Sequence, residues 1–252
     1  MVNIRSEKEI QLIADSCQIV ADTLDMLTAK VKPGAKISNL DKLAEEFIIS
    51  KGARPAFKGY MGFPSTLCVS VDDEVVHGIP TDRCLEEGQI VGIDCGAEKK
   101  GYYGDHARTF SIGKISASKQ KLMDITKDCL LKGISEAKPG NYVSDIGHAI
   151  QLLAESNGFS VVRELVGHGI GSSLHEEPQV PNYGNPKQGF RLTEGMCIAI
   201  EPMINMGKKE ITTDSDGWTI RTKDGQVSAH FEHTIAITSN GPKILSKSRL
   251  YG

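Results

Sequence analysis

The chain has 252 residues, 39% of them hydrophobic and 24% charged, with a formal net charge of −3 at pH 7. That length allows one large domain or two small ones, and the composition is that of an ordinary globular protein. The slightly acidic balance excludes a basic nucleic-acid surface, no apolar run reaches membrane-spanning length, and residues 1–9 are charged and lack the apolar core of a signal peptide.

The six cysteines form no C-x-x-C pair, which excludes a zinc knuckle and a thioredoxin-type motif and fits a reducing, cytoplasmic setting. From the N-terminus, Ser6-Glu7-Lys8-Glu9 has the pattern of a capping box, and Ile10, Ile13, Cys17, Val20, Leu24 and Leu27 recur at helical spacing. The spacing predicts a helix that stops before Lys32-Pro33-Gly34. A second helix starts near Ser38, with Leu40, Leu43, Ala44, Phe47 and Ile48 apolar, and ends at Gly52. A loop rich in aromatics follows, with Phe57, Tyr60 and Phe63. Then come a strand from Leu67 to Val71, the motif His77-Gly78-Ile79-Pro80, and Leu85-Glu86-Glu87-Gly88 before the next strand.

Two runs, one through Asp94 and one through Asp105, flank the charged segment Ala97-Glu98-Lys99-Lys100-Gly101, which is a hairpin signal. With the turn centred between Lys99 and Lys100, Asp94 faces Asp105. Directly opposed residues have Cβ atoms about 5 Å apart, so two ionised carboxylates there repel unless a cation lies between them. A pair of divalent metals about 3.5–4 Å apart satisfies both.

The second half repeats the first. A helix from Ser118 carries Leu122, Ile125, Cys129, Leu130 and Ile134, and a second from Ser144 carries Ile146, Ala149, Ile150 and Leu153. Lys32-Pro33-Gly34, Ser38, Leu40 and Gly52 recur as Lys138-Pro139-Gly140, Ser144, Ile146 and Gly158. His77-Gly78-Ile79 recurs as His168-Gly169-Ile170, and Leu85-Glu86-Glu87-Gly88 as Leu192-Thr193-Glu194-Gly195. An acid follows each final glycine at the same distance, Asp94 and Glu201. Asp105-His106 recurs as Glu232-His233 after an insertion. Two ααβ repeats, about 1–115 and 116–252, therefore form a single catalytic domain of α/β (α+β) class, with pseudo-twofold symmetry around a central antiparallel sheet and helices on its back.

The symmetry brings the repeated polar residues together. Asp94, Asp105, Glu201 and Glu232 carry four negative charges, which two divalent cations neutralise, and His168 adds a neutral imidazole. Glu201 stands in an otherwise apolar run, where a lone carboxylate is costly unless it is paired or bound to metal. Gly92 and Ala199, each two residues before an acid, leave room over the sheet. The oxygen-rich donor set suits Mn, Fe(II) or Co, with Zn or Ni possible, and two such ions make hydroxide available at neutral pH for amide or ester hydrolysis. His77 and His175 either stabilise an oxyanion, shuttle a proton or cap turns. His106 and His233 point to the other strand face and read as structural; His148 and His230 have no evident role. Phe57, Tyr60, Phe63 and Cys68 can line an apolar pocket, with Trp218 from the second-half insertion as a further wall.

His77-Gly78-Ile79-Pro80, Asp94 with Asp105, Gly167-His168-Gly169-Ile170-Gly171 with His175, Glu201-Pro202-Met203 and Glu232-His233-Thr234 together closely resemble type I methionine aminopeptidase, over nearly the whole chain. The resemblance implies the two-repeat pita-bread fold, with Asp94, Asp105, His168, Glu201 and Glu232 binding two metals. It further implies substrate contacts from His77 and His175 and a general-base role for Glu201. Phe57, Tyr60, Phe63, Cys68, Leu174 and Trp218 match the methionine side-chain pocket. Phe57 stands where the family often has cysteine, and Leu174 where it often has phenylalanine; both keep the pocket apolar. The implied reaction is removal of the initiator methionine from peptides and nascent chains, at the ribosome or free of it, when the second residue is small. The lack of a coiled coil leans to a monomer. The competing readings are a proline-specific peptidase on the same fold, which usually carries an extra N-terminal domain, and a binding protein that has lost its catalytic role.

Overall fold

The computed structural model describes residues 2–248. In the first half, helices α1 (Glu7–Thr28) and α2 (Ile37–Ser50) pack on a sheet whose central strand, Ile90–Lys99, lies between Leu67–Val71 and Tyr102–Ser111. In the second, α3 (Ala117–Glu136) and α4 (Val143–Ser156) back a sheet whose central strand, Cys197–Ile200, lies between Gly167–Gly169 and His233–Thr238. All of these pairings are antiparallel, and both halves place the strands in the same order. Two smaller three-stranded sheets complete the described residues.

The core forms where the apolar faces of the helices meet the sheets. Leu24, Leu27, Leu40 and Ile48 pack on Leu67, Val69, Val91 and Ile93. Leu122, Leu130, Ile146 and Ile150 pack on Ile198, Ile200, Ile235 and Ile237. Ser6 and Glu9 close the capping box of α1 reciprocally. The other helix starts differ from the sequence expectation. The cap of α3 is Ser116, not Ser118, because its hydroxyl accepts from Lys119 N–H. α2 begins at Ile37, leaving the Ser38 hydroxyl to donate to Asp82 at 2.7 Å. α4 begins at Val143, with Asp145 accepting from Tyr142 N–H at 2.7 Å.

The repeated glycine motifs have a common cause. Gly34 and Gly140 adopt φ of 81° and 94°, and Gly88 and Gly195 adopt 88° and 89°, a left-handed backbone that glycine takes without steric cost. Gly34 N–H donates to Leu85 C=O and Gly140 N–H to Leu192 C=O, both at 2.8 Å. The same turn is thus built twice.

The register of the first hairpin is a correction to the sequence reading. Lys99 pairs with Tyr102, so the turn is Lys100-Gly101, with φ of 55° and 82°. A two-residue hairpin turn of this kind needs left-handed backbone at both positions, which draws the turn onto Gly101. Asp94 therefore faces Ala107, and Asp105 faces Gly96. The two aspartates share a face but sit diagonally, each opposite a small residue. In the second half the opposed arrangement does occur. His233 pairs with Ile200, and Phe231 N–H reaches Pro202 C=O, so Glu201 and Glu232 stand across from each other.

Candidate metal centre and substrate cavity

Asp94 and Asp105 come from the first hairpin, His168 from the Gly167–Gly169 strand, Glu201 from the end of Cys197–Ile200, and Glu232 from just before His233–Thr238. Two threonine hydroxyls clasp the halves here. Thr234 Oγ1 donates to Asp105 C=O at 2.8 Å and accepts from Asp105 N–H at 3.2 Å. Thr109 Oγ1 donates to His230 C=O at 2.7 Å and accepts from His230 N–H at 3.0 Å.

Ligand atoms of Asp105, His168 and Glu232 lie within 4.8 Å of one another. His168 Nε2 is 3.6 Å from Glu201 Oε1 and 4.0 Å from Asp105 Oδ2. Burial raises all four carboxyl groups. Asp94 is pushed up to about 7, and Asp105 is raised further by the charges of Asp94 and Glu201. Glu201 is raised by burial and then Asp94, and Glu232 by burial and then Asp105, Asp94 and Glu201. Burial likewise lowers His168 to about 3, keeping its imidazole neutral and able to ligate. Asp94 Oδ1, Glu232 Oε1 and His230 Nε2 are buried without a hydrogen-bond partner. Leaving such atoms unpaired costs roughly 1–3 kcal/mol each. Clustered carboxylates with unused lone pairs fit divalent cations, and an oxygen-rich set with one imidazole favours hard or borderline ions.

These residues form the floor of a cavity of about 650 Å³. Phe57, Tyr60, Phe63, Cys68, Leu174 and Trp218 line it together with His77 and His175. Phe57 packs over Gly96, where any Cβ would clash with its ring. Trp218 arrives on the hairpin Ile211–Thr213 and Ile220–Thr222, which pairs with Glu74–Val76 of the other half, and meets Phe63 edge-on at 5.2 Å. His77 holds φ of 60°, a conformation rare for a residue with a side chain, and Gly78 packs directly on Val69 C=O. Burial, and then His175, lowers His77 to about 4. His175 packs edge-on against His168 at 4.3 Å, and its Nδ1 lies 2.8 Å from Tyr60 Oη.

The sequence gives His230 no role and holds Met203 only as part of the Glu201-Pro202-Met203 motif; the structure puts both at the site. His230 Nε2 lies 3.7 Å from Glu201 Oε2, and Met203 pairs with His230 and lines the cavity. Strand alternation carried the signal, since His230 is two residues before Glu232 and Met203 two after Glu201. Leu165 and Glu164 also line the cavity, and no sequence pattern marks them.

On the opposite face, His106 Nδ1 meets the backbone C=O of Glu232, and its Nε2 accepts from Arg108 Nε at 3.0 Å. Arg108 pairs with Asp25 at 2.8 Å, and Asp25 accepts from Ser248 Oγ. His233 stacks on His106 at 4.5 Å and bonds Ser246 Oγ at 2.9 Å.

Residues 11–239 match the model of metallopeptidase family M24. A methionine aminopeptidase from Clostridium perfringens is 49% identical over 98% of this chain and 99% of its own length. The crystal structure of a methionine aminopeptidase from Thermotoga maritima superposes with a TM-score of 0.97 at 42% identity, covering 98% of this chain and 100% of that one. Prolidase from Pyrococcus furiosus shares the pita-bread fold, with a TM-score of 0.80 at 24% identity, but this chain covers only 66% of it. The chain belongs to the methionine aminopeptidases of metallopeptidase family M24.

Proposed function

We propose that the protein acts as a single catalytic domain that releases the N-terminal methionine of peptides and nascent chains when the second residue is small. Two divalent ions would be held by Asp94, Asp105, His168, Glu201 and Glu232. The observation that carries this reading is the juxtaposition of unpaired, buried carboxylate oxygens with a cavity of about 650 Å³ walled in part by Phe57, Phe63, Leu174 and Trp218. Names of relatives support the methionine specificity. A cytoplasmic monomer is the working form we propose. No helix among the described residues is long and apolar enough to cross a membrane.

When bound, the ions supply Lewis acidity toward the scissile carbonyl and the attacking water. The chain does the rest. Phe57, Tyr60, Phe63, Cys68, Leu174 and Trp218 enclose the methionine side chain and exclude water. Glu201, ionised when the cations are bound, would accept the proton released as water attacks and pass it to the leaving amine. In the tautomer whose Nδ1 accepts from Tyr60 Oη, the His175 ring proton is on Nε2 and can donate to the carbonyl oxygen as it gains charge. His77, neutral because it is buried, offers a second such donor.

The test is hydrolysis of Met-Ala-Ser, Pro-Ala-Ser and Xaa-Pro peptides with Mn(II), Fe(II) or Co(II) and with a chelator. Metal-dependent release of methionine alone is expected. Cleavage of an Xaa-Pro bond would reassign the pocket, and no turnover by folded protein with any metal would overturn the reading.

A further inference from the structure

The proposed metal ligands sit on strands or at their ends, whereas His175 stands in the turn before Glu176–Val180 and is exposed. An exposed side chain keeps one orientation only if its surroundings fix it, because rotamer freedom is otherwise retained. Tyr60 and His168 hold its ring from two sides. Its backbone is held through the next residue. The Glu176 carboxylate accepts from Ser173 N–H at 2.9 Å and Ser172 Oγ at 3.2 Å, both within the turn. It also accepts from Asn3 Nδ2 at 2.7 Å and Arg5 Nη2 at 2.5 and 2.6 Å, both from the segment before α1.

That segment is seated across the second half. Arg5 N–H donates to Gly195 C=O at 2.8 Å. The Arg5 guanidinium fills the space where a side chain on Gly171 would lie, and a side chain on Gly195 would strike the Arg5 backbone. The Arg5 and Glu176 side chains are only 9% and 8% exposed. Burial alone would raise Glu176, but hydrogen bonds from Asn3, Ser173 and Arg5 hold it below the usual carboxylate value, so the pair stays charged. Breaking a buried pair of this kind leaves an uncompensated charge. Arg5 Nη1 also lies 3.6 Å from Glu9, but Ser6 and Glu9 close the cap of α1 between themselves.

We propose that residues 3–5 form a strap beside the substrate cavity, and that Arg5, assisted by Asn3, is a positioning residue that fixes His175 through Glu176. The proposal rests on the reading of His175 as a donor to the scissile carbonyl. The test uses the Mn(II)-loaded enzyme with Met-Ala-Ser, calorimetry of Mn(II) binding, and nitrogen NMR of histidine-labelled protein. In Arg5→Ala, kcat should fall roughly tenfold or more, as small misplacements of a catalytic group do. KM and Mn(II) affinity should stay within about twofold, and Arg5→Lys should recover part of the loss. On a His175→Ala background, Arg5→Ala should add nothing. Asn3→Ala, which removes one surface hydrogen bond and leaves the fold intact, should lower kcat by about two- to threefold. A loss that appears in KM or Mn(II) affinity, or one that adds fully to His175→Ala, would overturn the strap. If His175→Ala cleaves at the wild-type rate, the reading of His175 fails instead. The His175 ring signals then decide the strap: they move in Arg5→Ala if it holds, and their constancy refutes it.

Discussion

The strands that carry Asp105 and Glu232 present polar groups to both faces of the sheet, and the two faces are finished differently. On the back, His106 and His233 are stacked, and each ring has a side-chain or backbone partner through Arg108, Glu232 C=O and Ser246. On the front, Asp94, Glu232 and His230 keep buried atoms with no partner, and burial raises four carboxyl groups, three of them further through neighbouring carboxylates. Both faces bury histidine, His106 at the back and His168 and His230 at the front. What separates a structural network from a binding centre here is satisfaction of hydrogen-bonding capacity, not burial or composition.

The sharpest way to break this comparison is Asp94→Asn, which exchanges a carboxylate for a poorer ligand. Mn(II) affinity measured by calorimetry should fall by about 10²-fold or more; unchanged affinity would remove Asp94 from the ligand set. The same variant sharpens the comparison in the ion-free protein. Folded Asp94 titrates at about 7 because of burial, against roughly 4 in the unfolded chain. The fold therefore binds a proton there that the unfolded chain has released. The stability this contributes is complete below pH ~4 and is lost as pH rises to about 7. Asp94→Asn escapes that loss. Its melting temperature in chelator should gain on the wild type as pH rises through this window, and a constant difference would refute the sign.

A smaller effect is expected from the back. His106→Ala strands the Arg108 Nε donor and the Glu232 carbonyl, which should cost about 1–3 kcal/mol in urea unfolding. Mn(II) affinity should weaken by no more than about tenfold, since only the backbone behind a ligand is disturbed. A loss as large as that of Asp94→Asn would erase the distinction between the faces. Ser246→Ala, which removes the hydrogen bonds of Ser246 Oγ with His233 Nδ1 and Thr234 N–H, should cost the least, about 1–2 kcal/mol, with metal affinity intact.

Much of the site was legible because it is repeated. The glycines of Lys32-Pro33-Gly34 and Lys138-Pro139-Gly140 mark the same left-handed turn, and the spacing from Gly88 to Asp94 equals that from Gly195 to Glu201. Repetition reveals which residues correspond, but not how strands register. The Asp94–Asp105 pairing was misread by two positions because charge distribution was used to centre the turn, whereas the left-handed backbone at Lys100-Gly101 set it. Glu201 and Glu232, with no short turn between them, stand opposed, unlike their diagonal counterparts Asp94 and Asp105. The sequence alone gives His230 no role because its place at the site comes from pairing with Met203, a contact made across the insertion. Leu165 and Glu164 escaped notice because cavity walls made by loops follow no period.

The two threonine clasps have a consequence for the life of the molecule. Thr109 belongs to the first half and grips His230 of the second; Thr234 belongs to the second and grips Asp105 of the first. A chain still emerging from synthesis can complete the first hairpin, with Asp94 and Asp105 in place, long before Glu201, Glu232 or either clasp exists. The segment that closes the centre, Glu232 with His233–Thr238, is among the last to be made. The proposed centre is therefore incomplete by construction until translation of the chain is nearly finished.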